Sequence, residues 1–430
     1  MGMSGLPSQD RSPTAADAEA MLFRHVLDVW FPRSLDTTHG GFLCDFDRAW
    51  NECGPHDKLL EFQARQTLLA ADACSAFPGD ARFRAATEHG FRCLAGLMWD
   101  QQEGGWFHLM DRAGNVLAGE TKHAHGTAYA IEACASVFAA TGDPAALALA
   151  QSGFHWLEDY ARDRDHRGYF GLLTRGNRVI RSPADWPTIA DPLGTEIGLK
   201  DANVHSDLIE TFTALHHVWP DGRVQERLAE VVELVTEKMI VPSTGAMHLF
   251  VTADWTPIPH LARSGYQFQT AFRLGVASQI VGDAARLGAL SCLLVDHTVR
   301  YMRDPRTGGF YYASPGAYPT WLGEQTTVVL DKRWWPQVEA MKALLAVSLL
   351  RPDEPSYVEH FRSAWHYTER HCLDDSYGGI YARGLDGVRP WRRALGARGA
   401  PAAFTKKGDV WKDGSHDGRA LLYCRSVLRS

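Results

Sequence analysis

The 430-residue sequence carries 44 Lys and Arg against 51 Asp and Glu, a formal net charge of −7. That balance leaves no basic footprint for nucleic acid, and no apolar run reaches membrane-spanning length. Hydrophobic residues make up 45% of the chain, enough for a large core, and 14 Trp with 13 Tyr supply flat walls with polar edges.

The N-terminus comes first in chain order. Met1–Ala16 is polar, holds Pro and Ser and lacks an apolar h-region, so it is expected to be a disordered leader ahead of one domain over 17–430. The 8 Cys stand singly, with no CxxC pair. That pattern suits neither zinc nor a dense disulfide framework and is expected of a reducing, cytoplasmic protein.

From there one theme returns six times: an acidic or polar turn, small residues, then aromatic or other apolar residues. The copies are Asp36–Phe42, Asp100–Phe107, Asp163–Phe170, a degenerate Ser243–Met247, Asp304–Tyr312 and Asp374–Tyr381. Between them, apolar residues at three- and four-residue steps predict helices over 62–74, 127–141, 208–219, 224–239, 266–281 and 335–350. A repeat of roughly 65 residues has room for two helices, a turn and a short hairpin. Six such units that bury one face against each neighbour close into a ring. The expected fold is all-α, an (α/α)6 barrel, in which the segments entering the inner helices converge on one mouth.

The chemistry-bearing residues are therefore sought at equivalent places of successive units. The first unit offers Gln63 and Arg65 beside Phe62, with Arg65 expected to face the cavity. The second offers His123 and His125; two residues apart, they do not share a helical face, so a metal pair is disfavoured and one pocket imidazole is expected. The third offers Asn203, His205, Asp207 and Glu210, with Asn203 also suited to a helix cap. The fourth, Arg263 to Gln269, is polar and aromatic, with Tyr266 and Gln269 but no group that titrates near neutrality. The fifth sets Trp334 and Trp335 ahead of Gln337 and Glu339, a stacking platform with hydrogen-bonding neighbours. The sixth packs Trp411, Lys412, His416 and Arg419 into nine residues with two glycines. This inventory fits a neutral polyhydroxylated ligand and lacks phosphate-binding loops, nucleophile elbows and HExxH metal sites.

At these residues the chain resembles the N-acylglucosamine 2-epimerase superfamily, which includes cellobiose 2-epimerases and D-mannose isomerases on an (α/α)6 barrel. The resemblance runs from about Leu22 to Leu422. It is carried by Asp57-Lys58 to Gln66, by Asn203-Val204-His205 to Glu210, by Lys332 to Trp335-Pro336-Gln337-Val338-Glu339-Ala340, and by Trp411-Lys412 to His416-Asp417-Gly418-Arg419. It implies interconversion of a free sugar at C1 and C2 through a cis-enediol, with His416 as general base and acid and no metal or organic cofactor. The family's fourth-unit Gly-His-x-x-Glu reads Gly265-Tyr266-Gln267-Phe268-Gln269 here, so both His and Glu are replaced.

Aldose–ketose isomerisation moves a proton on one face and needs a single base, whereas 2-epimerisation needs exchange on both faces. Isomerisation of a sugar such as mannose, fructose or glucose is therefore the preferred expectation, with 2-epimerisation beside it. His205 and Tyr266 are the candidates to assist His416 in catalysis. Arg65, Gln63, His125, Asn203, Glu210, Gln269, Gln337, Glu339 and Arg419 are expected to bind sugar oxygens, with Trp335 and Trp411 as stacking walls. The expected partner is a small sugar, with neither nucleic acid nor membrane, on a monomer or homodimer. The alternatives are a glycoside hydrolase or lyase using Asp207, Asp331, Glu339 or Asp417, which needs two carboxyls flanking one bond, and a non-catalytic sugar-binding homologue.

Overall fold

The computed structural model describes residues 11–117, 119, 121–185, 194–314, 329–388 and 399–429. Among them, six inner helices form a closed ring: Leu60–Ala76, Ala124–Thr141, Ala202–Val218, Ser264–Val281, Trp334–Leu350 and Ser415–Val427. Each packs on the next, and the sixth packs back on the first. The outer layer consists of Ala81–Arg92, Pro144–Trp156, Gly222–Leu234, Ala284–Met302 and Ser356–His371, with the N-terminal helix Ala15–Leu22 against the sixth inner helix. The expected all-α (α/α)6 barrel is therefore what the chain adopts.

Inner and outer helices differ for a plain reason. A helix ringed by neighbours buries almost its whole circumference; Leu60–Ala76 and Trp334–Leu350 are buried nearly throughout. Outer helices show water one face and carry charges there, as Gly222–Leu234 does. No helix among the described residues is long and apolar enough to cross a membrane.

The first ten residues of the expected leader lie outside the described residues, and Ala15 and Ala16 already belong to the first helix. Thr14 ends the leader early: its hydroxyl accepts the Asp17 amide while the Asp17 carboxylate accepts the Thr14 amide, a reciprocal cap. Arg425 and Arg429 both reach Glu19, tying this helix to the last one.

The six turns are one hairpin. In each, the first residue donates its amide across the turn, as Asp163 does to Gly168 and Asp374 to Gly379, and in three with aspartate its carbonyl also accepts one back: Asp36 with Gly40 and Gly41, Asp100 with Gly104 and Gly105, Asp304 with Gly308 and Gly309. The aspartate carboxylate also accepts amides two and three residues on, as at Asp36, Asp100, Asp163 and Asp374. A lysine then meets each carboxylate: Lys58–Asp36 (3.3 Å), Lys122–Asp100 (3.3 Å), Lys200–Asp163 (2.8 Å), Lys332–Asp304 (2.7 Å) and Lys407–Asp374 (3.0 Å).

The fourth copy shows why the pair exists. Val241 takes the aspartate's place in the backbone ring, and the sheet register puts Ala262 where Lys58, Lys122 and Lys200 stand. Both charges are gone together, because either alone would be buried without a partner. Lys200→Ala or Asp163→Val alone is expected to cost about 3–5 kcal/mol, the scale of a stranded buried charge. Asp163→Val combined with Lys200→Ala, which copies the fourth unit, should cost much less than the two single changes added. Urea denaturation of the three variants measures this, and additive losses would refute it.

Candidate active site

The first two turns of the inner helices open onto a cavity of about 770 Å³. Helical spacing explains its lining: the second and sixth residues of each inner helix lie one turn apart on one face. They are Glu61 and Arg65, His125 and Tyr129, Asn203 and Asp207, Gly265 and Gln269, Trp335 and Glu339, and His416 with Ala420, and all but Glu61, Gly265, Glu339 and Ala420 line the cavity. Eight of the sequence-predicted residues line the cavity: Arg65, His125, Asn203, Tyr266, Gln269, Trp335, Trp411 and His416.

Three others belong to a different position and do a different job. Gln63, His205 and Gln337 are each the fourth residue of their inner helix, and that residue latches the helix to its own hairpin. The Phe42 amide donates to Gln63 Oε1 (2.7 Å), the Phe310 amide to Gln337 Oε1 (2.8 Å) and the Tyr169 amide to His205 Nε2 (3.0 Å). His205 Nδ1 donates in turn to the Asp201 carbonyl at 2.8 Å. Burial pushes its imidazole down to about 3, so both nitrogens are committed and His205 stands apart from the cavity as a neutral structural group. The assignment of His205 to catalysis, and of Gln63 and Gln337 to sugar binding, is corrected accordingly. The amide cap of this helix comes from Asp201, which accepts from Val204, and not from Asn203.

Glu210 and Arg419 are also displaced from their expected place. They lie deeper, in a charged floor where Arg419 Nη2 meets Glu132 (2.8 Å) and Glu210 (3.0 Å) and its Nε donates to Asp72 (3.0 Å). Arg273 Nε donates to the other Glu210 oxygen at 2.8 Å. Both residues border a smaller cavity of about 470 Å³ at the opposite end of the ring.

His416 is the group best placed for proton transfer. Its Nδ1 lies 2.8 Å from Glu339 Oε1, and Lys342 Nζ is 2.9 Å from Glu339 Oε2. Burial alone would raise the Glu339 carboxyl, but Lys342 and His416 beside it bring it down to about 2. An ionised carboxylate only accepts, so Nδ1 is the donor, and in the neutral imidazole Nε2 then carries the lone pair on the opposite side of the ring. Glu339 thus fixes the orientation of the His416 imidazole. The Trp335 ring lies 5.5 Å from the imidazole at 35°. Gly265 makes that possible, since a Cβ there would sit 2.0 Å from the indole.

His125 has no free nitrogen. Nδ1 meets Glu61 Oε1 and Nε2 meets Asp207 Oδ2, each at 2.9 Å, and His108 holds Glu61 from behind at 3.0 Å. Burial lowers an imidazole, yet Asp207 and Glu61 bring this one up to about 9. His123, two residues earlier, caps the helix by accepting the His125 amide. Because the folded value lies above the ordinary 6.5, protonated His125 stabilises the fold fully below that pH and ceases to as pH rises through about 9. The contribution is about 3 kcal/mol. Wild type should lose that much more stability than His125→Gln between pH 6 and pH 10 in urea titrations, and parallel pH profiles would count against the assignment.

Tyr266, in the fourth-unit segment, packs on Trp335 with ring centroids 5.3 Å apart, and burial raises its phenol. It keeps its proton and so serves as a donor. Every carboxylate weighed for hydrolysis has a cationic neighbour: Asp207 has His125 and Arg273, Asp331 has Arg333 and Arg383, Glu339 has Lys342, and Asp417 has Lys412. Cys44, Asp45 and His56 gather closely enough to suggest a metal. None lines the cavity, and His56 Nδ1 already accepts the Cys44 and Asp45 amides at 3.2 and 3.1 Å.

Sequence reasoning did not single out Tyr129, Tyr312, Arg333, Arg383, Lys406 and Asp409, which also line the cavity. Tyr129 carried a usable signal, four residues after His125 on one helical face. Arg383, Lys406 and Asp409 lie on connecting segments with no periodicity to read.

Comparison with known proteins agrees with this architecture. The chain is 25% identical over 409 residues to a cellobiose 2-epimerase of Bacteroides fragilis, covering 93% of this chain and 96% of that one. It is 27% identical over 365 residues to a D-mannose isomerase of Pseudomonas cannabina pv. alisalensis, covering 81% and 78%. The solved structure of cellobiose 2-epimerase from Bacillus thermoamylovorans superposes with a TM-score of 0.82 at 19% identity, over 97% of this chain and 99% of that one. The N-acylglucosamine 2-epimerase family model matches residues 40–175 and 190–386. With more than half its length matched, and on this ring of helices, the chain belongs to the N-acylglucosamine 2-epimerase family.

Proposed function

We propose that this chain is a sugar isomerase or 2-epimerase that works through a cis-enediol, with aldose–ketose isomerisation preferred. The observation that carries the reading is the His416–Glu339 pair, which engages one imidazole nitrogen and leaves the other without a protein partner on a ring that lines the cavity. The relatives named above, an epimerase and an isomerase of sugars, support the same class of chemistry.

In this mechanism His416 Nε2 takes the proton from C2 of the open-chain sugar, and Glu339 steadies the imidazolium that forms. Arg65 donates to the carbonyl oxygen as it gains negative charge. Its guanidinium is held over Tyr129 at 4.3 Å and against Asp413 at 3.4 Å, so it is pre-aimed. Passing the hydroxyl proton from O2 to O1 and returning the carbon-bound proton to C1 on the same face gives the ketose. The cavity offers no second free imidazole among the described residues, because His125 is clamped at both nitrogens. Inversion at C2 would need the intermediate to rotate or Tyr266 to deliver a proton from the other face. Trp335 and Trp411 supply stacking walls, and Asn203 and Gln269 bind hydroxyls. Each of these steps falls to a side chain and calls on no cofactor.

Incubating mannose, glucose, fructose, lyxose, N-acetylmannosamine and cellobiose with the protein in D2O and reading NMR spectra tests the reading. Deuterium at C1 or C2 with a ketose product is the expected result. Binding with no exchange in any sugar would instead indicate a non-catalytic homologue, a reading that the Tyr266 and Gln269 replacements favour.

A further inference from the structure

We propose that the sugar taken by this site carries an anionic group, a carboxylate or a phosphate ester, held at the cavity mouth by the guanidiniums of Arg263, Arg333 and Arg383. The inference rests on the isomerase or epimerase reading for what happens at the reacting end, and adds what the other end must look like.

Charge at the lining is the first ground. Arg65, Arg263, Arg333, Arg383 and Lys406 face the cavity against Asp207 and Asp409. Arg65 is answered by Asp413, Lys406 by Asp409, and Asp207 by His125 and Arg273. Of the other three arginines, Arg333 and Arg383 share one carboxylate, Asp331, whose Oδ2 is 3.2 Å from both Arg333 Nε and Arg383 Nη1. Arg263 has no carboxylate partner among the described residues. A cationic mouth on a chain of net charge −7 is a local arrangement and not a consequence of composition.

The cluster is also built, not incidental. Tyr312 holds the Arg333 guanidinium 4.0 Å from its ring centroid and the Arg263 guanidinium at 5.5 Å. Arg263 pairs with Ala313 in a two-stranded sheet, and Arg333 bridges Arg383 across the backbone. Three like charges are thus gathered around one aromatic ring and one carboxylate. A neutral sugar gains nothing from that repulsion, since amides and hydroxyls bind its oxygens without it. A carboxylate or phosphate matches the planar guanidinium fork and relieves the repulsion.

Position completes the case. The Tyr312 ring meets Trp335 at 6.4 Å, and Trp335 meets His416 at 5.5 Å. The arginines and the base lie along one aromatic wall of the same cavity, so a sugar whose C1 and C2 reach His416 turns its far end to the mouth.

Calorimetric binding tests this with three hexoses of gluco, manno and galacto configuration, each beside its uronate and its 6-phosphate. At low salt the wild-type protein is expected to bind at least one charged form about tenfold or more tighter than its neutral parent, the scale of one charge-assisted contact. That preference should weaken as salt is added. The arm that shows it names the anion as carboxylate or phosphate. Arg263→Gln and Arg333→Gln should bring the charged-to-neutral ratio toward one. Charged forms that bind no tighter than their parents in all three series would overturn the proposal. Binding is read without turnover, so a clear anion preference with no deuterium exchange in the preferred charged sugars would sink the isomerase reading alone. Exchange without anion preference would sink this one alone.

Discussion

His416→Ala is expected to lower deuterium incorporation at C1 and C2 by about a thousandfold, within the usual range for a positioned general base. The protein should stay folded, because His416 lines a cavity and is not packed into the core. Glu339→Gln probes the same device from behind. Glutamine keeps the shape but removes the charge that steadies the imidazolium, so kcat should fall by about ten- to a hundredfold. Two outcomes would dismantle the mechanism: exchange that survives in His416→Ala, or Glu339→Gln weakening substrate binding with kcat unchanged. The second would mean that Glu339 binds sugar directly, as its sequence context suggests.

Arg273→Met is expected to destabilise the protein by about 3–5 kcal/mol, a large effect for one side chain. Arg273 is buried between two carboxylates: it meets Asp207, donates to Glu210 at 2.8 Å and donates to Ser206 Oγ at 3.0 Å. Without it, Asp207 keeps only His125, and Glu210 keeps only Arg419 among the close pairs of this network. The urea midpoint should fall sharply. Adding Glu210→Gln to Arg273→Met should recover part of the loss, because one stranded charge is then removed. A double variant that is less stable than the single would show that the network is not held by charge pairing.

Much of the fold is legible in the chain. A recurring hairpin and a repeat of roughly 65 residues announce six units, and six units that each need a neighbour imply a ring. The inner helices start earlier than their apolar periodicity suggests: at Leu60, Ala124 and Ala202 instead of 62, 127 and 208. Their first turns hold polar residues outside that apolar pattern, such as His125 and Asn203. They are polar because that turn faces the cavity, and tertiary context overrides the pattern.

What the chain alone decides, then, is what depends on order along it: helix period, hairpin recurrence, the Trp335-to-Glu339 and Trp411-to-Arg419 segments, and the loss of Asp and Lys together in the fourth unit. Which polar side chain does which job is decided only when the ring closes. Gln63, His205 and Gln337 look like site residues in sequence, yet they sit one or two positions from the cavity-facing residues. A shift of two positions turns a side chain by about 200° around a helix. That rotation separates a backbone latch from a cavity-facing side chain, and His205 from His416. Likewise, Glu339 reaches His416, and Asp207 reaches His125, across tens of residues of chain. No local pattern encodes those pairings; the shared axis of six helices does.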